Sequence, residues 1–129
     1  MGRELKRILY GEDESDIQTI TAMALEAVGG FSVVSCSSGA EALAAAPAAN
    51  ADLILLDVMM PGMDGLATLM AFRALPQTAD TPVIFMTAKV QASEIQHYMH
   101  LGVAGVVAKP FDPMTLSEQI GEIWRKVSG

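Results

Sequence analysis

The chain has 129 residues, of which 51% are hydrophobic, and this length and composition predict one folded domain rather than a disordered chain. Eight Lys and Arg residues against 15 Asp and Glu give a net charge of −7, which argues against binding to the nucleic-acid backbone. The single cysteine, Cys36, excludes an intramolecular disulfide and a cysteine-rich metal site, and we expect it to be a small buried residue. No apolar run approaches ~18 residues, and the start has no apolar signal segment. We therefore expect a cytoplasmic protein that binds neither nucleic acid nor a membrane.

Short apolar runs alternate with helical patterns along the chain. The predicted strands are Arg7–Tyr10, Phe31–Cys36, Leu53–Leu56, Val83–Met86 and Gly105–Ala108. The predicted helices are Glu14–Val28, Gly39–Ala46, Asp64–Leu75, Ser93–Leu101 and Asp112–Val127. Five alternations of strand and helix predict an α/β domain: a doubly wound, five-stranded parallel sheet with right-handed crossovers and helices on both faces.

Three of the helix ends carry clear sequence signals. Gly29-Gly30 is typical of the end of the first helix. Ser38, with Glu41 three residues later, has the spacing of a capping box at the start of the second helix. Asp112 is predicted to cap the last helix, with a proline at its first position.

Polar side chains follow four of the five predicted strands. Glu12 and Asp13 follow the first strand, Asp57 the third, Thr87 the fourth and Lys109 the fifth. Because the carboxyl ends of parallel strands meet at one edge of a sheet, we expect three acids, a hydroxyl and an ammonium in one cleft.

This set of side chains suits phosphoryl transfer to a carboxylate. Clustered carboxylates repel one another unless a cation neutralises them, and oxygen ligands without His or Cys favour Mg²⁺, with Mn²⁺ as the alternative. Lys109 can hold a phosphoryl oxygen as a point charge, the Thr87 hydroxyl can donate to the same group, and the small Ala88 leaves room for it. Asp57 is then the nucleophile.

Each of these residues also has a purely structural interpretation. Taken alone, the acids Glu12 to Glu14 are more typical of a solvated loop that begins a helix, and this interpretation loses weight once Asp57 and Lys109 are placed at the same edge. Lys109 can be an exposed charge at the sheet edge, and Thr87 can cap the turn that follows its strand.

The chain resembles the receiver domain of response regulators in two-component signalling. The matching segments, which together span residues 8 to about 125, are Ile8 to Asp13, Leu55 to Gly65, Thr87-Ala88 and Lys109-Pro110-Phe111. The resemblance implies a flavodoxin-like sheet with strand order 2-1-3-4-5 and a single receiver domain over residues 1–129, with its core from about residue 6 to residue 127 and no effector domain.

The resemblance also implies the roles of the residues at the sheet edge. Asp57 would accept a phosphoryl group from a histidine kinase, a histidine phosphotransfer protein or a small phosphodonor, and would lose it by slow self-dephosphorylation rather than in an enzymatic cycle. Asp13, Asp57 and the backbone carbonyl of Met59 would bind Mg²⁺, with Glu12 reaching the ion directly or through a water. Thr87 and Lys109 would hold the phosphoryl oxygens.

Two residues depart from the family pattern. Glu12 stands where the family usually has Asp, so the metal geometry is expected to shift while the charge is kept. Val106 stands where many receivers have Tyr or Phe, beside the switch residues Thr87 and Ala88. In those proteins the aromatic ring follows the threonine inward on phosphorylation, a movement that Val106 cannot make.

The family implies a surface for output to a downstream protein or a second copy, built from the fourth helix, the fifth strand and the fifth helix. In this chain that surface would include Gln96, His97, His100, Gln119, Glu122 and Arg125. His97 and His100 share one helical face, and we expect exposed surface histidines rather than a metal pair or a phosphorelay site, since no third ligand is evident.

Three alternatives to a phosphoryl-accepting receiver differ in what they require. A haloacid-dehalogenase-type phosphatase wants a second acid two residues after its nucleophile, where this chain has Met59. A flavodoxin-like FMN carrier needs a phosphate-binding loop after the first strand, but Gly11 to Ser15 is acidic and would repel phosphate. A degenerate receiver that serves only for protein contacts would lack residues that are present here.

Overall fold

Five parallel strands form one sheet, and a helix follows each strand. In the computed structural model, which describes residues 4–128, the strands are β1 (Arg7–Gly11), β2 (Ser32–Cys36), β3 (Leu53–Asp57), β4 (Val83–Thr87) and β5 (Gly105–Ala108). The helices are α1 (Ser15–Met23), α2 (Gly39–Ala49), α3 (Gly65–Ala74), α4 (Ala92–His100) and α5 (Leu116–Ser128). The strand order β2-β1-β3-β4-β5 confirms the doubly wound fold. Within residues 4–128, none of the helices has the length and apolar character to cross a bilayer.

Strand side chains alternate between two cores, one on each face of the sheet. Both faces are covered by helices, so even the central strand β3 is buried throughout. The core on the face covered by the first and last helices, here called the α1–α5 core, includes Ile8, Tyr10, Leu55, Met86, Ile120 and Trp124. The α2–α3–α4 core includes Leu9, Cys36, Leu56, Phe72, Phe85 and Tyr98. The expectation that Cys36 is buried is therefore confirmed, and burial raises the pKa of its thiol to about 11.

The first helix changes its hydrogen-bonding pattern partway along. The sequence predicts one α-helix over Glu14–Val28, but the α-helix ends at Met23 and continues as a π-helical segment, Ala24–Val28. The Ala24 carbonyl accepts a hydrogen bond from the amide of Gly29 and another from the hydroxyl of Ser117 on α5, both 3.3 Å long. The prediction was wrong there because nothing local in the sequence indicates this contact with α5.

The second helix begins as predicted and ends later. The Ser38 hydroxyl accepts a hydrogen bond from the amide of Glu41 at 3.0 Å, which confirms the N-cap. The sequence predicts that this helix ends just before Pro47, but it continues to Ala49 and stops at Asn50, which has a φ of 49°. A proline removes one helical donor, and its ring crowds the carbonyl of the residue four positions earlier. The surrounding alanines have the highest helix propensity, and the helix continues through Pro47.

The last helix begins later than predicted. Asp112 accepts a hydrogen bond from the amide of Met114 through its carboxylate, at 2.9 Å, and one from Leu116 through its carbonyl, at 3.0 Å. These bonds form a turn over residues 113–115, and α5 begins only at Leu116. Asp112 therefore caps a turn that leads into the helix rather than the helix itself.

Candidate functional site

Three carboxylates meet at the carboxyl edge of the sheet. Glu12 and Asp13 follow β1, Asp57 is the last residue of β3, and one oxygen from each lies within 4.8 Å of the other two. Glu12 is 0% exposed and Asp57 is 2% exposed, whereas Asp13 is partly buried. Because Asp57 pairs with Met86 of β4, the sheet itself holds the backbone of this carboxylate.

The loop from β3 to α3 folds closely around Asp57. The amide of Met59 donates to Asp57 Oδ1 at 3.2 Å, and the amide of Gly65 returns to the Val58 carbonyl at 3.0 Å. A Cβ on Gly65 would lie 2.8 Å from Val58 Cα, so only glycine allows α3 to start this close to the strand. Gly62, with a φ of +77°, makes the intervening turn. The loop thus brings the backbone of Met59 beside the acid.

Lys109 brings a positive charge to two of the acids. Its Nζ lies 3.1 Å from Glu12 Oε1 and 3.4 Å from Asp57 Oδ2, and its side chain is only 15% exposed. Glu12, Asp57 and Lys109 each come two residues after a member of the α1–α5 core, so strand alternation directs them to one face of the sheet. Lys109 is followed by a cis peptide bond to Pro110.

The Glu12 carboxylate is surrounded by protein donors. Oε1 faces Lys109 Nζ and accepts a hydrogen bond from the Tyr10 hydroxyl at 3.4 Å, while Oε2 accepts from the amide of Glu14 at 3.3 Å. Tyr10 was not among the residues predicted for the site. The signal was available, because strand alternation places residues 10 and 12 on the same face and a buried tyrosine hydroxyl needs a partner.

The electrostatics of the site follow from burial and crowding. Burial raises the pKa of Glu12 to about 7, Asp57 beside it acts in the same direction, and Lys109 opposes both. Burial by itself would lower the pKa of Lys109, but Glu12 and Asp57 together raise it. Burial also raises the pKa of Tyr10 above its ordinary range, so this phenol is a hydrogen-bond donor at neutral pH. With every acid ionised, three carboxylates face one ammonium, an excess of negative charge that suits a divalent cation.

The acid cluster fits a hard metal ion by its chemistry. Asp13 Oδ1 is buried and has no hydrogen-bond partner within residues 4–128, which is costly for a carboxylate oxygen unless a cation lies beside it. Within the same residues, this is the one group of three or more His, Cys, Asp or Glu side chains close enough to hold an ion. Its ligands are all oxygen atoms, as Mg²⁺ prefers.

Thr87 and Ala88 lie next to the acids, at the end of β4. Thr87 is the last residue of the strand and 1% exposed, and its hydroxyl accepts a hydrogen bond from the amide of Lys89 at 3.0 Å. The hydroxyl therefore keeps its own proton for another acceptor. Ala88 is exposed, so the side of the cleft that it forms is open to solvent.

The aromatic residue beside β4 comes from a helix. Val106 pairs with Phe85 in the sheet, is half-buried and packs against the α2–α3–α4 core. Tyr98 of α4 is 6% exposed, and its ring contacts Phe85 edge to face, with 5.4 Å between centroids. Tyr98 was not predicted at this position, because only the packing of α4 onto the sheet brings it to this strand.

The surface predicted for output is largely exposed. Its exposed residues are Gln96, His97, His100, Glu122 and Arg125, and Gln119 is half-buried. Both histidines are exposed on α4, in agreement with the expectation of ordinary surface residues.

This chain is similar in sequence and fold to response regulators. Residues 8–121 match the model of the response regulator receiver domain. The chemotaxis protein CheY of Pseudomonas aeruginosa is 32% identical over 123 residues, which cover 95% of this chain and 99% of that protein. The regulatory protein PhoP of Bacillus subtilis, for alkaline phosphatase synthesis, is 34% identical over 121 residues, and the match covers 94% of this chain but 49% of PhoP.

The fold agrees with these sequence similarities. The structure of the chemotaxis response regulator CheY4 of Vibrio cholerae superposes with a TM-score of 0.85 at 30% identity, covering 93% of this chain and 99% of CheY4. The chain spans about half the length of the transcriptional regulators that it matches and nearly all of the chemotaxis proteins. It belongs to the response regulator receiver domain family of two-component signal transduction.

Proposed function

We propose that this chain accepts a phosphoryl group on Asp57 in a Mg²⁺-dependent reaction and signals through protein contacts. Receiver domains as a family act as phosphoryl acceptors and signal transducers rather than as turnover enzymes. The observation that carries the proposal is the position of Asp57. It is buried at a strand end, 3.4 Å from the Lys109 ammonium and within 4.8 Å of two further carboxylates.

The reaction is nucleophilic attack by the Asp57 carboxylate on a phosphorus atom. A histidine kinase, a histidine phosphotransfer protein or a small phosphodonor supplies the group. With a phosphohistidine donor, a carboxylate oxygen forms the P–O bond, the P–N bond breaks, and the departing imidazole keeps the electron pair and takes up a proton. The Lys109 ammonium then stabilises the charge on the phosphoryl oxygens, and the Thr87 hydroxyl donates to one of them. Slow attack by water on the same phosphorus breaks the P–O bond to Asp57, releases inorganic phosphate and returns the free carboxylate.

The residues that would hold the metal are Asp13, Asp57 and the Met59 carbonyl, with Glu12 beside them. Bound Mg²⁺ would neutralise charge on the transferred group, and Mn²⁺ suits the same oxygen ligands. The unpartnered Asp13 Oδ1 supports this assignment, because that buried oxygen has no hydrogen-bond partner within residues 4–128.

The output surface in this proposal is the one formed by α4, β5 and α5, which binds a downstream protein or a second copy of the chain. Its exposed polar side chains are accessible without unfolding. Residues 1–129 act as one receiver domain, and the cytoplasm, where histidine kinases present their phosphodonor groups, is its place of action.

Intact-mass measurement after incubation with phosphoramidate and Mg²⁺ tests the proposal. Wild type should gain one phosphoryl group, Asp57→Ala should gain none, and a chelator of divalent cations should prevent the addition. Asp64→Asn is a matched control, because Asp64 is an exposed N-cap of α3 and asparagine caps a helix equally well. An adduct that persists on Asp57→Ala would show that the acceptor lies elsewhere. Sustained turnover of a phosphate ester would favour the phosphatase.

A further inference from the structure

Tyr10 belongs to the core, but its hydroxyl contacts one of the acids of the site. It is 0% exposed, lies in the α1–α5 core, and its hydroxyl reaches Glu12 Oε1 at 3.4 Å. The Glu12 carboxylate is also 0% exposed. The phenol and the carboxylate are therefore partners that solvent does not replace.

The length of the Glu12 side chain is what lets it reach this hydroxyl. The same oxygen that accepts from Tyr10 also faces Lys109 at 3.1 Å, and the second oxygen accepts from the amide of Glu14. An aspartate at position 12 would withdraw its carboxylate by about 1.5 Å, the length of one C–C bond. A contact that already measures 3.4 Å would then exceed hydrogen-bond distance.

We propose that Tyr10 is a positioning residue for Glu12, and that the two form a matched pair which tunes the Mg²⁺ site of this receiver. The Tyr10 hydroxyl holds Oε1 beside Lys109, so that the long glutamate side chain is already oriented toward the oxygens of Asp13 and Asp57. This inference rests on the proposed Mg²⁺ site. Groups that orient a metal-site residue in this way commonly change metal affinity when they are removed.

Calorimetric titration of Mg²⁺ into four proteins tests the pair: wild type, Tyr10→Phe, Glu12→Asp, and the double variant. Tyr10→Phe keeps the buried ring and removes only the hydroxyl, and we expect it to weaken Mg²⁺ binding about tenfold. In the Glu12→Asp background the same change should alter the affinity less than about twofold, because the shorter acid no longer contacts the phenol. A hydroxyl that only supported the core would have the same effect in both backgrounds.

Tyr98→Phe is the matched control, because Tyr98 is also buried but lies in the α2–α3–α4 core against Phe85. Its Mg²⁺ affinity should equal that of wild type. A second measurement needs no variant at position 10: in wild type labelled with ¹³C-tyrosine, the Cζ resonance of Tyr10 should move on addition of Mg²⁺ while that of Tyr98 stays.

The outcomes distinguish a failure of the Tyr10–Glu12 pair from a failure of the proposed Mg²⁺ site. If wild type does not bind Mg²⁺, both are wrong. If wild type binds Mg²⁺ and Tyr10→Phe binds it equally well, or loses the same affinity in both backgrounds, only the pairing is wrong. A Tyr10 Cζ resonance that does not respond to Mg²⁺ would also overturn the pairing.

Discussion

The sheet edge around Asp57 and the contact of α4 with β4 and β5 lie next to each other, but different interactions stabilise them. At the edge, buried charged groups contact one another directly, as Lys109 contacts Glu12 and Asp57. Where α4 contacts β4 and β5, Val106 is half-buried and the aromatic ring against Phe85 comes from Tyr98 on the helix. The first region brings charged side chains together, and the second packs aromatic and apolar side chains. Substitutions at the edge should therefore change phosphorylation most, and substitutions of buried residues in α4 should change stability most.

Lys109→Met should have the largest effect on the chemistry. We expect phosphorylation by phosphoramidate to slow by about 10²–10³, because removing one hydrogen-bond donor that stabilises a transition state typically costs that much. Lys89→Met is the control, since Lys89 is an exposed lysine in the neighbouring loop and should react at the wild-type rate. Rates from intact-mass time courses decide, and equal rates for both variants would remove Lys109 from the mechanism.

Tyr98→Ala should show the opposite behaviour. Losing the buried ring against Phe85 should lower the free energy of unfolding by about 3 kcal/mol, measured by urea denaturation. Its phosphorylation rate should stay close to wild type. Met99→Ala, at an exposed position on the same helix, should change stability by less than about 0.5 kcal/mol. A Tyr98→Ala protein with wild-type stability and slow phosphorylation would contradict the division between the two regions.

Asp13→Asn tests whether Asp13 binds Mg²⁺ and repels the neighbouring carboxylates, with the free energy of unfolding as the only measured quantity. In wild type, Mg²⁺ at 10 to 100 times its dissociation constant should raise the free energy of unfolding by about 1–3 kcal/mol. The variant should lose this increase and should be more stable than wild type without Mg²⁺, because one of the mutually repelling carboxylates is gone. Urea denaturation in chelator and in Mg²⁺ measures both, with Asp64→Asn as the control. An undiminished Mg²⁺ effect in Asp13→Asn would exclude Asp13 as a ligand.

Val106→Tyr should have the smallest effect on the chemistry. We expect a phosphorylation rate within about threefold of wild type, because Val106 packs against the α2–α3–α4 core rather than against the acids. The new ring would compete with Tyr98 for the space beside Phe85, so the amide resonances of α4 should respond more strongly to phosphorylation than in wild type. Val106→Ile, which adds no ring, is the control. A tenfold change in rate would show that the two regions are coupled.

The elements and the members of the site could be predicted because their signals are local. Apolar runs that end in Asp57 and Thr87 indicate the strands, and the parallel arrangement brings their carboxyl ends to one edge. The π-helical segment after α1 and the late start of α5 were missed, since they depend on hydrogen bonds that periodicity does not encode. Tyr10 was placed correctly in a strand, but its role depends on the reach of the residue two positions later.

The sequence by itself determined the α/β fold, the order of its elements and which polar residues lie at the carboxyl edge, because strand period and chain order dictate all three. Only the tertiary structure decided which of these residues touch. Lys109 and Glu12 are 97 positions apart and meet at 3.1 Å, and Tyr98 rather than residue 106 supplies the ring beside Phe85. Such contacts depend on how helices pack on the sheet and how far each side chain extends, which no local pattern records.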